Sequence, residues 1–222
     1  MRVRYETPDY LKGIAVIMMV IFHFFYDLNH FKLFETGIRK DLFWTIWPKI
    51  IISFFLISVG LNLSIATSKG INFKTFSFRI IKLSILALGI SLATYFVFPG
   101  RWVYFGILHN VAVSSILAIP FLKRPIISLL TGISLISPSL FLGYKYPFIS
   151  LSKKPVDHVA LFPWFGLVLI GIFLHSKGLH KLKMPNHKFK KYIRYLGENS
   201  LVIYFLHQMI LFPTIYLISR FL

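Results

Sequence analysis

Long apolar runs that never alternate with polar residues leave this chain few ways to fold. Seven stretches reach or approach the roughly 17–25 residues that cross a bilayer: Tyr10 to Phe31, Trp44 to Ala66, Phe76 to Phe98, Val103 to Leu122, Pro125 to Gly143, Val159 to His175 and Asn199 to Phe221. In hydrocarbon no water pairs with exposed backbone groups, so a spanning chain must close its hydrogen bonds within helices or around a barrel. Barrel strands alternate apolar and polar residues over about ten positions, and these runs do not. Composition agrees, with 56% hydrophobic residues and a mean hydropathy of +0.71, against about 45–50% apolar residues in a soluble domain. The expectation is an all-α integral membrane protein: one domain over residues 1–222, a polytopic bundle of about seven helices crossing the cell membrane.

Details refine that expectation. The fifth run holds Ser137, Pro138 and Ser139, a local break in its hydrogen-bond ladder, and the sixth is short and begins with Phe162, Pro163 and Trp164. Arg2 and Arg4 ahead of the first run imitate a signal peptide, but the run is too long, lacks a small-residue cleavage site and carries His23, Asp27 and His30. It belongs to the mature protein. Cysteine is absent, which removes disulfides, thiolate nucleophiles and Cys-ligated metals.

A net charge of +18 suggests nucleic acid in a soluble protein, but a membrane protein gathers Lys and Arg in its cytoplasmic loops. With the N-terminus inside, sixteen of the 25 cations fall on inner segments: Arg2, Arg4 and Lys12; Lys69, Lys74, Arg79 and Lys82; Lys123 and Arg124; and seven between Lys177 and Arg194. The other nine are Lys32, Arg39, Lys40, Lys49, Arg101, Lys145, Lys153, Lys154 and Arg220. The bias predicts a cytoplasmic N-terminus, an external C-terminus and no nucleic-acid partner. The Lys177–Arg194 connection reads as an anchor for anionic membrane lipid, each cation contributing about 1 kcal/mol, or as a landing site for a polyphosphate ligand.

Ionisable residues inside spanning helices are costly and mark sites. His23, Asp27 and His30 fall at i, i+4 and i+7 on the first helix, and Ser200, Tyr204 and His207 repeat that spacing on the last, with Gln208 beside them. His109 and Asn110 lie in the upper half of the fourth run, Asp157 and His158 just ahead of the sixth, and Arg101 in the short outer loop. A polar shaft from the midplane to the outer leaflet accommodates them all. His23 with Asp27 one turn away suits a general base, the carboxylate fixing the imidazole tautomer. For His109 and His207 interhelical hydrogen-bond glue is the plainer role, worth about 0.6 kcal/mol, and His30 and His158 lie near water, where an imidazole needs no special reason.

These residues also resemble a family. Asp9-Tyr-Leu-Lys-Gly13 and Phe22-His23-Phe-Phe-Tyr26-Asp27-Leu28 look like the first-helix signature of the heparan-alpha-glucosaminide N-acetyltransferase catalytic-domain family, within the transmembrane acyltransferases. Phe105-Gly-Ile-Leu-His109 with Ala112 and Ser114, Phe162-Pro-Trp-Phe-Gly166 with Gly171, and Gly197-Glu-Asn-Ser200-Leu-Val-Ile-Tyr204-Phe-Leu-His207-Gln208 are similar to its small prokaryotic members. Lys12 departs from the usual arginine, keeping charge and losing the bidentate fork. The large lysosomal members have helices this chain lacks, so their sugar substrate does not carry over.

The resemblance implies transfer of an acetyl or similar acyl group from cytoplasmic acyl-coenzyme A to an acceptor on the far side, such as an amino sugar or glycan. On that plan acetyl-coenzyme A is the donor and no metal is needed. His23 is the base and Asp27 orients it, with His109 and His207 in reserve. His30, Arg101, Asp157, His158 and Tyr204 face the acceptor, and Lys12, Lys74 and Arg79 meet the donor phosphates. The small size allows a homodimer.

Other classes compete. A proton-coupled small-molecule transporter would also use an intramembrane His/Asp cluster, though no inverted repeat or matched pair of broken helices is visible. Axial haem ligation by His23, His109 or His207 is a third reading, and metal hydrolysis lacks a His-Glu-x-x-His spacing.

Overall fold

A computed structural model describes residues 5–35, 37–38, 41–147, 151 and 153–221. Arg2, Arg4, Arg39 and Lys40 of the cation count, and Leu222, lie outside them. The described residues form eight α-helices and no strand: α1 (Glu6–His30), α2 (Leu42–Thr67), α3 (Phe73–Val97), α4 (Ile107–Leu117), α5 (Pro125–Phe141), α6 (Phe165–Ser176), α7 (Lys190–Glu198) and α8 (Ser200–Phe221). Four of them, α1, α2, α3 and α8, are long and apolar enough to cross a membrane, and α4, α5 and α6 are shorter apolar helices.

Side-chain polarity is distributed as lipid demands. On α3, Phe78, Ile81, Ile85, Leu88, Leu92 and Phe96 form an exposed apolar stripe, whereas Leu83, Ala87 and Ser91 are buried. Burying apolar surface gains little when the solvent is itself a hydrocarbon, so close packing of small residues has to hold such helices together.

The chain divides into two compact units: residues 1–55 with 181–222, and residues 56–180. In the first, α1 lies against α7 and α8. A Cβ at Gly13 would overlap the Ile193 carbonyl, and one at Gly197 would overlap the Asp9 carbonyl. The two helices therefore meet backbone to backbone, and the glycines of two separate sequence motifs interlock. Further along, α1 and α8 run parallel, since His23 faces His207, Asp27 faces Gln208 and Phe31 faces Phe212. Ala15, Met19 and Ile51 form the local core, with Trp47 donating its indole N–H to the Met18 carbonyl at 3.0 Å.

In the second unit Gly60 and Gly171 bring α2 and α6 together, and Gly132 and Gly166 do the same for α5 and α6. Leu61, Leu63, Val168, Leu169 and Ile172 are buried around these crossings.

Three expectations need correction. The fourth run, taken as Val103 to Leu122, is helical only over α4 and a 3₁₀ turn at Ile119–Phe121. The sixth, taken from Val159, begins at Phe165. The missing turns are irregular chain whose backbone groups are paired by protein: Val103 N–H donates to Thr94 Oγ1, Ser91 Oγ donates to the Val103 carbonyl, Val156 N–H donates to the Arg101 carbonyl and Val159 N–H to that of Phe105. Non-helical backbone at membrane depth is tolerated under that condition. The polar connection up to Arg194 is also not all loop, because its last residues open α7, which is bound to α1 through Gly13 and Gly197. The Ser137-Pro138-Ser139 stretch loses one donor, yet α5 continues through it to Phe141.

Candidate functional site

Two polar clusters lie on the apolar helices. In the first unit α1 and α8 form two rungs. On the Asp27 rung Gln208 Nε2 donates to both Asp27 carboxylate oxygens, at 3.0 and 3.1 Å, and Asp27 is fully buried. On the histidine rung the rings of His23 and His207 stand 4.8 Å apart. His207 Nδ1 lies 2.7 Å from the Tyr204 carbonyl, which can only accept, so that nitrogen carries the proton and Nε2 keeps its lone pair. His207 Nε2, His23 Nδ1 and Gln208 Oε1 are all buried without a hydrogen-bond partner. Three such atoms on two adjacent rungs are unusual, because buried polar groups are nearly always paired.

The expected pairing is therefore corrected. Asp27 does not orient His23; it holds Gln208, and His23 faces His207 instead. The helical spacing did place His23 and Asp27 on one face, but α8 supplies the partner for each. Gln208 is the participant that the stripe through Ser200, Tyr204 and His207 left to one side. Its signal was available, since an amide in an apolar membrane helix needs a partner of its own. The 4.8 Å spacing also leaves no room for an iron bound by both rings, since metal–nitrogen distances near 2.0–2.1 Å hold two axial imidazole centroids roughly 6 Å apart.

The second cluster, in the other unit, is built differently. Gly106 N–H donates to His109 Nδ1 at 3.1 Å, so the proton sits on Nε2, which is 3.2 Å from Ser91 Oγ. Ser91 passes its own proton to the Val103 carbonyl at 2.6 Å. Asn110, fully buried, donates to the Val159 and Ala160 carbonyls and accepts from Ser114 Oγ at 2.9 Å. His109 thus uses both ring nitrogens in tying the start of α4 to α3, and Asn110 ties α4 to the approach of α6.

The same end of this unit holds Arg101, Asp157 and His158. Arg101 is exposed and donates to the Lys154 carbonyl. The Asp157 carboxylate borders Gly106. His158 lies against Tyr104, ring centroids 5.2 Å apart; partial burial lowers the pKa of its ring, opposed by its hydrogen bond with the Phe105 main chain. In the first unit His30 sits exposed at the end of α1, 5.9 Å from the Phe212 ring, and Tyr204 lies one turn from His207, its ring 5.7 Å away.

The three cations assigned to donor phosphates belong to different units, Lys12 to the first and Lys74 and Arg79 to the second. Lys12 is held by buried Asp9 at 2.8 Å, while Lys74 is exposed and Arg79 half-buried on α3.

Residues 4–209 match the family described as Heparan-alpha-glucosaminide N-acetyltransferase, catalytic. No curated protein and no solved structure matches the chain. The family match takes in both histidine clusters and the interlocking glycines and ends within α8, and on it the chain belongs to the heparan-alpha-glucosaminide N-acetyltransferase catalytic-domain family of membrane acetyltransferases.

Proposed function

We propose that this protein transfers an acetyl group from acetyl-coenzyme A to an amino sugar or glycan acceptor, with the α1/α8 rungs as reaction centre. The observation that carries this reading is the buried, unpartnered lone pair of His207 Nε2 facing His23 inside the membrane-spanning helices. A thioester parts easily with its thiolate but requires a neutral nucleophile to lose a proton, so a fixed base is the main requirement. With Nδ1–H committed to the Tyr204 carbonyl, His207 meets it better than His23, whose expected carboxylate partner is engaged elsewhere.

The steps follow from that assignment. The acceptor N–H or O–H gives its proton to His207 Nε2 while its lone pair attacks the thioester carbonyl carbon. His23 Nδ1, in its protonated tautomer, donates to the developing oxyanion. The C–S bond breaks, and the imidazolium of His207 returns the proton to the departing thiolate. Gln208, held by Asp27, presents Oε1 as a second acceptor for a donor group on the substrate.

Parallel α1 and α8 are consistent with termini on opposite sides, and the cation bias alone makes the N-terminus cytoplasmic, the C-terminus external and the inside the source of the donor. Reporters at the two termini are expected to read opposite sides. The decisive experiment is thiol release from acetyl-coenzyme A by the purified protein with glucosamine as acceptor. A thermal midpoint unmoved by millimolar coenzyme A, with no thiol released, turns the same rungs into the proton path of a small-molecule carrier.

A further inference from the structure

In the first unit, α7 and its N-cap Phe189 sort into two edges. Phe189, Tyr192, Ile193 and Leu196 fall at i, i+3, i+4 and i+7, and Lys190, Lys191, Arg194 and Glu198 gather on the other side. Contacts with α1 say which way each edge points. Lys190 and Arg194, one turn apart on α7, both pair with Glu6, at 2.8 and 3.4 Å, whereas Ile193, next to Arg194, lies against Gly13. Glu6 and Gly13 stand about 10 Å apart along the axis of α1. α7 therefore crosses α1 transversely, with its cationic edge toward the start of α1 and its apolar edge toward the run that α1 carries into the membrane. The chain leading into α7 is pinned at the same level: Thr7 Oγ1 donates to the Leu182 carbonyl at 2.8 Å, and the Tyr10 hydroxyl lies 2.8 Å from His187 Nε2.

A helix lying across the foot of a spanning helix, apolar on the edge facing hydrocarbon and basic on the other, has the build of an interfacial helix. Its rings are not spent on packing, since Phe189, Tyr192 and Tyr195 are 57%, 67% and 63% exposed. Water is a poor neighbour for three such side chains, and the headgroup boundary suits them. The cations divide in two. Glu6 engages Lys190 and Arg194, and Glu198 also lies 3.4 Å from Arg194. Lys188 and Lys191 are exposed and have no ion pair among the described residues. Both line a cavity of about 340 Å³ in which Lys188, Lys190, Lys191 and Arg194 outnumber the single carboxylate of Glu6, so the surface keeps a net positive charge for an anion to meet.

We propose that α7 is an interfacial helix whose exposed rings enter the headgroup boundary at the start of α1, and that Lys188 and Lys191 hold the phosphates of anionic lipid. The occupant is a bilayer surface because basic and apolar edges run side by side along the whole helix, and a lipid surface meets both at once. The cation bias makes this the cytoplasmic leaflet. The inference needs α1 to span the membrane and does not depend on the acetyltransferase reading.

The chain has no cysteine, so single nitroxide labels can be placed on the full protein in nanodiscs of phosphatidylcholine and phosphatidylglycerol. Labels at Phe189→Cys and Tyr192→Cys are expected to collide more with oxygen than with a water-soluble nickel chelate, and labels at Lys191→Cys and Glu198→Cys to do the reverse. Two sites on each edge keep the test intact if one variant fails to fold. Nickel access at all four leaves α7 in water and overturns the proposal; oxygen access at all four sinks the basic edge in hydrocarbon and overturns it equally. Headgroup choice is read separately from a fluorophore at Tyr195→Cys, quenched by brominated phosphatidylglycerol or brominated phosphatidylcholine. Phosphatidylglycerol is expected to quench preferentially, and Lys188→Gln/Lys191→Gln to reduce that preference by up to about thirtyfold, at about 1 kcal/mol for each cation. Equal quenching by the two lipids before the lysines are changed, or a preference that the double variant retains, overturns the anionic-lipid assignment.

Discussion

Around His109 both ring nitrogens are used, one by the Gly106 amide and one by Ser91, whereas between α1 and α8 the facing atoms of His23, His207 and Gln208 have no partner. Both clusters sit in apolar helices, and in sequence both read as candidate site histidines. The difference teaches where chemistry can happen in such a protein. A ring with two partners holds segments together and has no lone pair to offer without breaking its own structure. Orphaned buried atoms carry a desolvation cost of about 1–3 kcal/mol each, which a substrate group can relieve when it docks.

The largest effect that would break this comparison is on turnover. Removing a positioned general base costs about 10² to 10⁴ in rate, so His207→Ala is expected to abolish measurable acetyl transfer, and His23→Ala to follow closely through loss of the oxyanion donor. Coenzyme A binding by both variants is expected to persist, read from the ligand-induced shift of the thermal midpoint. If His207→Ala turned over normally while His109→Ala did not, the unpaired atoms would be a packing irregularity and the reaction centre would lie in the other unit.

A second change probes the Asp27 rung. Asp27→Asn and Gln208→Leu leave the His23/His207 pair in place but remove the group that fixes the Gln208 amide or the amide itself. A loss of about tenfold in kcat/KM is expected, the scale of one buried hydrogen bond to a charged group. Substrate saturation separates the cases: if Gln208 Oε1 holds the acceptor, KM rises more than kcat falls. Loss confined to protein yield, with normal kinetics in the folded fraction, would reduce this rung to helix–helix glue.

Much of this was legible in the sequence. The seven apolar runs gave the all-helical membrane class, and the i, i+4, i+7 spacing put His23 and Asp27 on one face of α1. Periodicity within one helix says nothing, however, about which residue on a second helix sits opposite, and so Asp27 was matched to His23 when its partner lies 181 positions away at Gln208. Irregular chain stood in for helix at Val103 and Val159 because its backbone groups are paired by Thr94, Ser91 and distant carbonyls, bonds that apolar composition does not encode. α7 was hidden by its own cations: Lys190, Lys191 and Arg194 read as loop, while Gly197, which lets the helix dock on α1, carries no side chain to announce it.

The third effect is on stability. His109→Ala leaves the Gly106 amide without its acceptor, at about 1–3 kcal/mol, while Ser91 loses one of its two partners and keeps the Val103 carbonyl. The thermal midpoint is expected to fall, and thiol release per folded molecule to stay within a few-fold of the unmodified chain. A catalytic His109 would give the opposite pattern, an unshifted midpoint with activity gone.

The smallest effect discriminates most sharply. His109 stands three residues after Gly106, the N-cap of α4, and its Nδ1 accepts the N-cap amide. That is the half of a capping box a side chain at this position supplies, and Gln or Glu supplies it in most helices. Glycine has no side chain for the reciprocal half, so the whole cap rests on residue 109. His109→Gln keeps an acceptor at that point and an N–H to offer Ser91, but it has no titratable nitrogen. The replacement is expected to recover most of the midpoint lost in His109→Ala, a net change under about 1 kcal/mol, and to retain turnover. Because glutamine restores a cap and cannot act as a base near neutral pH, activity lost in both variants while only His109→Gln is stable would move the base to α4 and undo the contrast between the two clusters.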